Sequence, residues 1–166
     1  MITNDRLTEL ERLLRTVRVF LEPHWKLWWE HRGQPGGQKT LSEGTCGRTS
    51  CFLKDLLPEY GFATRMAFGS PVECDCGYHT GKGWKGHCWV VVDDPSVIVD
   101  LTADQFGEVP VLIVPADDPR YAEGHDMASD EWRAERQRVA RELQEDWHRR
   151  GGLEGLERAA LPVGGR

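Results

Sequence analysis

The stretch GTCGRTSCFLKDLLPEYGFATRMAFG, residues 44–69, changes character half-way along. From Cys46 to Leu57 it reads as a helix, with Thr45 available as a cap and Pro58 and Gly61 closing it. From Ala63 to Gly69 it reads as a strand. Two cysteines five positions apart, Cys46 and Cys51, fall in the helical half, the first at its start. A sulfur at a helix start meets free N–H groups and the positive end of the helix dipole, which favour the thiolate.

Upstream, Leu7, Leu10, Leu14, Val17 and Leu21 recur at spacings of three and four, which predicts a helix over 5–21 ended by Pro23. Tryptophans 25, 28 and 29 and a Gly/Pro/Gln loop then lead into Cys46. Downstream comes a Gly- and Cys-rich loop, residues 70–86, positioned as a lid. Two strands follow, HCWVVVDD and VIVDLTA, whose link Asp94-Pro95-Ser96 predicts a hairpin. VPVLIVP is a further short strand. Residues 129–149 predict a charged helix with Trp132, Val139, Leu143 and Trp147 as its apolar stripe, and the Gly-rich residues 151–166 a flexible tail. The order helix, loop, helix, strands, helix predicts an α+β fold, a single domain over 1–150 in which a helix packs on an antiparallel sheet.

The chain has 166 residues, 21 basic and 27 acidic, for a net charge of −6. Lys and Arg are scattered rather than striped, so no nucleic-acid footprint is expected. No apolar run is long enough to span a bilayer. The opening MITNDRLTEL has neither a basic nor an apolar signal region, and the expected location is cytoplasmic. The odd number of cysteines, five, argues against a disulfide framework in that setting.

A cysteine nucleophile needs an available thiolate, a base and a group that orients the base. Cys46 at a helix start, His87 opening a strand and Asp100 ending the next strand of the hairpin supply that set. The backbone N–H of Cys46 is one natural oxyanion donor, and the second is sought upstream among Gln34, Gln38 and the tryptophans 25, 28 and 29. Trp89 is expected to point away from His87 into the core. A competing reading takes Cys74, Cys76, His79 and Cys88 as zinc ligands, although Cys-x-Cys is not the usual knuckle spacing.

Three blocks in order resemble the transglutaminase-like (papain-like) superfamily: Gly44-Thr45-Cys46 with Ser50, Leu53, Leu56, Leu57, Gly61 to Arg65 and Gly69; His87-Cys88-Trp89-Val90; and Asp100-Leu101-Thr102. The resemblance covers residues 44–106. It implies a papain-like core and a cysteine-dependent amide hydrolase, protease, deamidase or transglutaminase working through a thioester. No cofactor is implied, and the substrate would be a peptide, protein or small amide. Counted back from Gly61 and Arg65, it assigns the nucleophile to Cys46 and a silent buried role to Cys51. It also implies Gln38, as in papain-like proteins, or a tryptophan such as Trp29, as in transglutaminases, for the second oxyanion donor. A catalytically inactive binding module on the same scaffold is the alternative. An arylamine N-acetyltransferase-like acyl carrier fits less well, because that family has an Arg-Gly-Gly-type lead where this chain has Glu43-Gly44-Thr45.

Overall fold

A computed structural model describes residues 4–32 and 39–162. Helices, 3-10 turns and strands follow in the order α1 (Asn4–His31), α2 (Cys46–Leu56), a 3-10 turn (Leu57–Tyr60), β1 (Thr64–Gly69), β2 (Gly77–His79), β3 (Trp84–Lys85), β4 (His87–Val92), β5 (Val97–Asp100), a second 3-10 turn (Ala103–Phe106), β6 (Leu112–Pro115), β7 (Tyr121–Ala122), α3 (Asp130–Arg149) and α4 (Gly152–Ala160). The fold is α+β with antiparallel sheets. One sheet has the strand order β1-β4-β5-β6 and the other β3-β2-β7.

Period-2 alternation on β4 and β5 gives the larger sheet two buried faces. Val90, Val92, Val97 and Val99 face one way and pack with Leu10, Leu14, Val17 and Leu21 of α1, Phe52, Leu53 and Leu56 of α2, and Val139, Leu143 and Trp147 of α3. Ala67, Trp89, Val91 and Ile98 face the other way, against Val114 and Tyr121. The two sheets meet at a pair of glycines. A Cβ on Gly69 would lie 2.1 Å from the Gly77 nitrogen, and one on Gly77, at φ +106°, would lie 2.1 Å from the Lys85 carbonyl oxygen. Gly69 pairs with His87 across β1 and β4, so this close approach lies beside the candidate site.

Four expectations are corrected. Helix α1 runs through Pro23 to His31. Proline costs the Val19 carbonyl its helical partner, but Val19 is 66% exposed, so water can replace that bond. Beyond the proline, Trp25 is fully buried and its Nε1–H donates to Thr49 Oγ1 at 3.1 Å, which fixes the helix onto α2. Residues 70–86 are not one loop, because β2 and β3 pair within them and β7 joins from 121–122. Trp132 is exposed on the first turn of α3, where it stacks with the Arg48 guanidinium, and the buried stripe begins at Arg136 instead. The expected tail carries α4: Leu153 and Leu156 pack on the core, Glu157 pairs with Arg12, and the Leu153 N–H donates to the Tyr60 hydroxyl at 3.2 Å.

Arg18 of α1 ties the helix layer to the chain after β5. It is 8% exposed and donates to the Leu101 carbonyl at 2.6 Å, the Pro110 carbonyl at 3.2 Å and Asp104 Oδ2 at 2.8 Å. These bonds hold the segment that leaves Asp100.

Candidate active site

Cys46 is the first residue of α2. Thr45 stands at the N-cap position, but its side chain does not cap the helix. Its hydroxyl donates back to the Ser42 carbonyl at 2.8 Å, so the first-turn N–H groups get no side-chain acceptor from it. That helix end therefore presents free donors and positive potential around a half-buried sulfur.

His87 begins β4 and Asp100 ends β5. The register Val92↔Val97, Val91↔Ile98, Val90↔Val99, continued by one residue, sets Asp100 across from Trp89 and diagonal to His87 on the same face. Both are buried, at 3% and 2% exposure, and His87 Nε2 lies 2.6 Å from Asp100 Oδ2. The carboxylate also accepts from the Tyr121 hydroxyl (2.9 Å, Oδ2), the Thr102 N–H (2.8 Å, Oδ1) and the Thr102 hydroxyl (3.0 Å, Oδ1). Burial alone would raise Asp100; the His87 charge and these donors outweigh it and hold the carboxyl below its usual range.

With Nε2 on Asp100, Nδ1 is the imidazole nitrogen left for Cys46. It is buried and has no hydrogen-bond partner among the described residues. The Cys46 sulfur interacts with two side chains. A hydrogen bond from the Cys88 thiol lowers its pKa most. Burial opposes this, and the His87 hydrogen bond and charge and the Cys88 backbone N–H lower it further, leaving the thiol well below its ordinary range. Burial would likewise depress His87, but Asp100 and Cys46 override it and push the imidazole up to about 10. Cys88 moves the opposite way from Cys46, raised by the neighbouring thiolate and by burial. The directions of these shifts favour the thiolate at Cys46 and the imidazolium at His87, and keep Cys88 protonated.

Aromatic rings enclose the imidazole. Phe106 meets it edge-on at 5.0 Å between centroids, Tyr78 edge-on at 6.0 Å, and Trp89 stacks at 6.2 Å. Trp89 corrects an expectation here. It lies two residues along the strand from His87, which is the same face, so it packs behind the ring rather than away from it. The residue that alternates to the other face is Cys88. That face packs on α2, the helix that starts with Cys46, and this period-2 argument could have placed Cys88 at the site from sequence. Tyr121 had no such signal, being brought in by β7 from 21 residues beyond Asp100.

The Trp29 Nε1–H, expected as an oxyanion donor, is engaged elsewhere, donating to the Leu41 carbonyl at 3.2 Å. Its ring lies beside Gly44 and helps hold the loop that enters Cys46. Gln38 and Gln34 lie outside the described residues. Cys51 is buried at 4% exposure, and burial raises its thiol, the reverse of Cys46.

The four residues of the zinc reading do not converge. Cys74 and Cys76 are joined in a disulfide, correcting the expectation of free thiols; neighbours two apart with Cα atoms at 5.2 Å are within bridging reach. Glu73 lies close to both sulfurs, but bridged sulfurs offer no thiolate to a metal. His79 packs edge-on to Trp84 with its Nδ1 accepting from the Gly81 N–H, and Cys88 is beside Cys46.

A cleft of about 460 Å³ adjoins the site, lined by Lys39, Thr40, Thr80, Lys82, Lys85 and residues 104–107. A larger groove, about 1010 Å³, lies between α1 and α4, and neither it nor the smaller cleft is lined by Cys46, His87 or Asp100. No described helix is long and apolar enough to cross a membrane. Comparisons with protein-family models, curated proteins and solved structures find no match to this chain.

Proposed function

We propose that the protein is a cysteine-dependent acyl-transfer enzyme of the transglutaminase-like, papain-like type, with Cys46 as nucleophile, His87 as acid and base, and Asp100 orienting His87. The observation that carries this reading is the buried His87–Asp100 pair at 2.6 Å, whose imidazole Nδ1 is left without a partner, together with Cys46 at the start of α2; the downward shift of Cys46 and the upward shift of His87 support it.

The thiolate attacks an amide or ester carbonyl, and the electron pair moves to the carbonyl oxygen. The Cys46 backbone N–H, free at the helix start, donates to that oxyanion. The His87 imidazolium gives its Nδ1 proton to the leaving amine as the C–N bond breaks, leaving a Cys46 thioester and neutral His87. Water or a second amine then attacks; His87 takes its proton, and the thiolate leaves. Water as acceptor gives hydrolysis or deamidation, and an amine gives transfer. Asp100 stays ionised throughout, held by Thr102 and Tyr121, and fixes the ring through Nε2, which leaves Nδ1 to exchange protons with the sulfur and the leaving group.

Brief treatment of the native protein with iodoacetamide at pH 6–7, followed by peptide mapping, tests this directly. Cys46 alone is expected to alkylate rapidly. Labelling of Cys46 no faster than that of an ordinary thiol peptide at the same pH contradicts an activated nucleophile.

A further inference from the structure

The cleft that shares Phe106 with the site is built from three separate segments and carries three lysines and one acid. Lys39 comes from the loop that leads into Cys46, Lys82 and Lys85 come from the β2–β3 hairpin, and the second 3-10 turn supplies Asp104 to Gly107. The whole chain has only five lysines, and three of them line this cleft. Lys54, elsewhere, pairs with Asp55, whereas Lys39, Lys82 and Lys85 have no ion-pair partner among the described residues.

The one acid in the lining is already committed. Asp104 Oδ2 accepts from Arg18 at 2.8 Å, and Oδ1 accepts from Ser42. It forms no ion pair with the lysines, and Glu43, which accepts from the Lys39 backbone N–H at 2.9 Å, leaves Lys82 and Lys85 unpaired. The cleft also touches the chemistry, because Phe106 both lines it and packs edge-on against His87 at 5.0 Å.

Unpaired lysines on two segments around an open cleft suit several separated anions, whereas a single phosphate is gripped most specifically by an arginine fork or by a lysine set in a nest of backbone donors. We propose that the acyl donor is an acidic peptide, whose Asp or Glu carboxylates seat among Lys39, Lys82 and Lys85 while the neighbouring carbonyl meets Cys46. This rests on the acyl-transfer reading above and adds the substrate class to it.

Iodoacetyl-capped peptides of one length, with acidic, neutral, basic or phosphorylated side chains, serve as probes on the full chain. The readout is the rate at which each alkylates Cys46. At low salt the acidic peptide is expected to react about tenfold faster than the neutral one, the order that two or three exposed charge pairs supply. The ratio should shrink towards one at about 0.5 M salt. It should also collapse in a Lys82→Gln, Lys85→Gln variant, whose two sites are exposed and carry no packing. Equal rates for acidic and neutral probes, a preference that survives the lysine substitutions, or a phosphorylated probe that outpaces the carboxylate one each overturn the proposal while leaving the nucleophile in place. Failure of iodoacetamide and every probe to label Cys46 would instead remove the acyl-transfer reading beneath it.

Discussion

Replacing Cys88 with alanine should weaken the nucleophile without touching the triad. The Cys88 thiol is the largest single influence lowering the Cys46 pKa, and the Cys88 backbone N–H, which alanine keeps, adds a smaller one. A hydrogen bond to a charged group contributes about 1.5–3 kcal/mol, and a thiol is a weak donor, so the lower end applies. At 1.36 kcal/mol per pKa unit, Cys88→Ala should raise the Cys46 pKa by about one unit. Cys88→Ser keeps a donor at the same place and should leave it near the native value or below. The assay is the iodoacetamide alkylation rate of Cys46 from pH 4 to 9, resolved by peptide mapping, in which the inflection reports thiolate formation. An inflection unmoved by Cys88→Ala, or moved equally by alanine and serine, would refute a Cys88 hydrogen bond as the cause.

Stability should depend on pH in a way set by the ion pair. His87, raised to about 10, contributes stability that is full below its unfolded value of about 6.5 and is lost as pH rises through 10. Cys46, depressed, contributes stability that is full above its unfolded value of about 8.5 and is lost as pH falls through its folded value. Between about 6.5 and 8.5 the two slopes cancel, since folding only moves one proton from sulfur to imidazole. Urea unfolding should therefore show that the pair adds no slope there in the native chain, whereas Cys46→Ala should lose stability with rising pH over the same window; parallel curves would contradict the couple. Arg18→Met removes the donor to Asp104 Oδ2 and to the buried Leu101 carbonyl and should cost about 3 kcal/mol in the same assay, with less than about 1 kcal/mol contradicting its structural role. Gly77→Ala forces a Cβ onto the Lys85 carbonyl at a positive φ and should loosen the β2–β3 hairpin, read as faster amide exchange at residues 77–85; unchanged exchange would deny the close approach.

Local signals carried much of this architecture. The leucine spacing of α1 and the Pro58/Gly61 end of α2 were readable because one short segment sets each. The hairpin turn at 94–96 was readable too, and it was enough to bring His87 and Asp100 to one face. Pro23 misled because a proline ends a helix only when the lost bond cannot be replaced, and the exposure of Val19 is a tertiary property. Residues 152–160 looked loose from their glycines, yet Leu153 and Leu156 find the core, which no local rule reveals. Tyr121 joins Asp100 through a strand pairing distant in sequence, and the Cys74–Cys76 bridge went against a count that treated all five cysteines alike. Cys88 was legible in principle from strand alternation. Its role depended on knowing that the same face of β4 packs on α2.

If Cys46 carries an acyl group as a thioester, with His87 and Asp100 behind it, that intermediate can be trapped. The protein is mixed with a p-nitrophenyl ester; nitrophenolate release is followed in the first seconds and the acid-quenched protein is mapped by mass spectrometry. A burst close to one equivalent, with the acyl group on Cys46, is expected in the native chain. Cys46→Ala should abolish it, and Asp100→Asn should slow it at least tenfold. No burst, or acylation spread over lysines with Cys46 unmodified, would contradict the account.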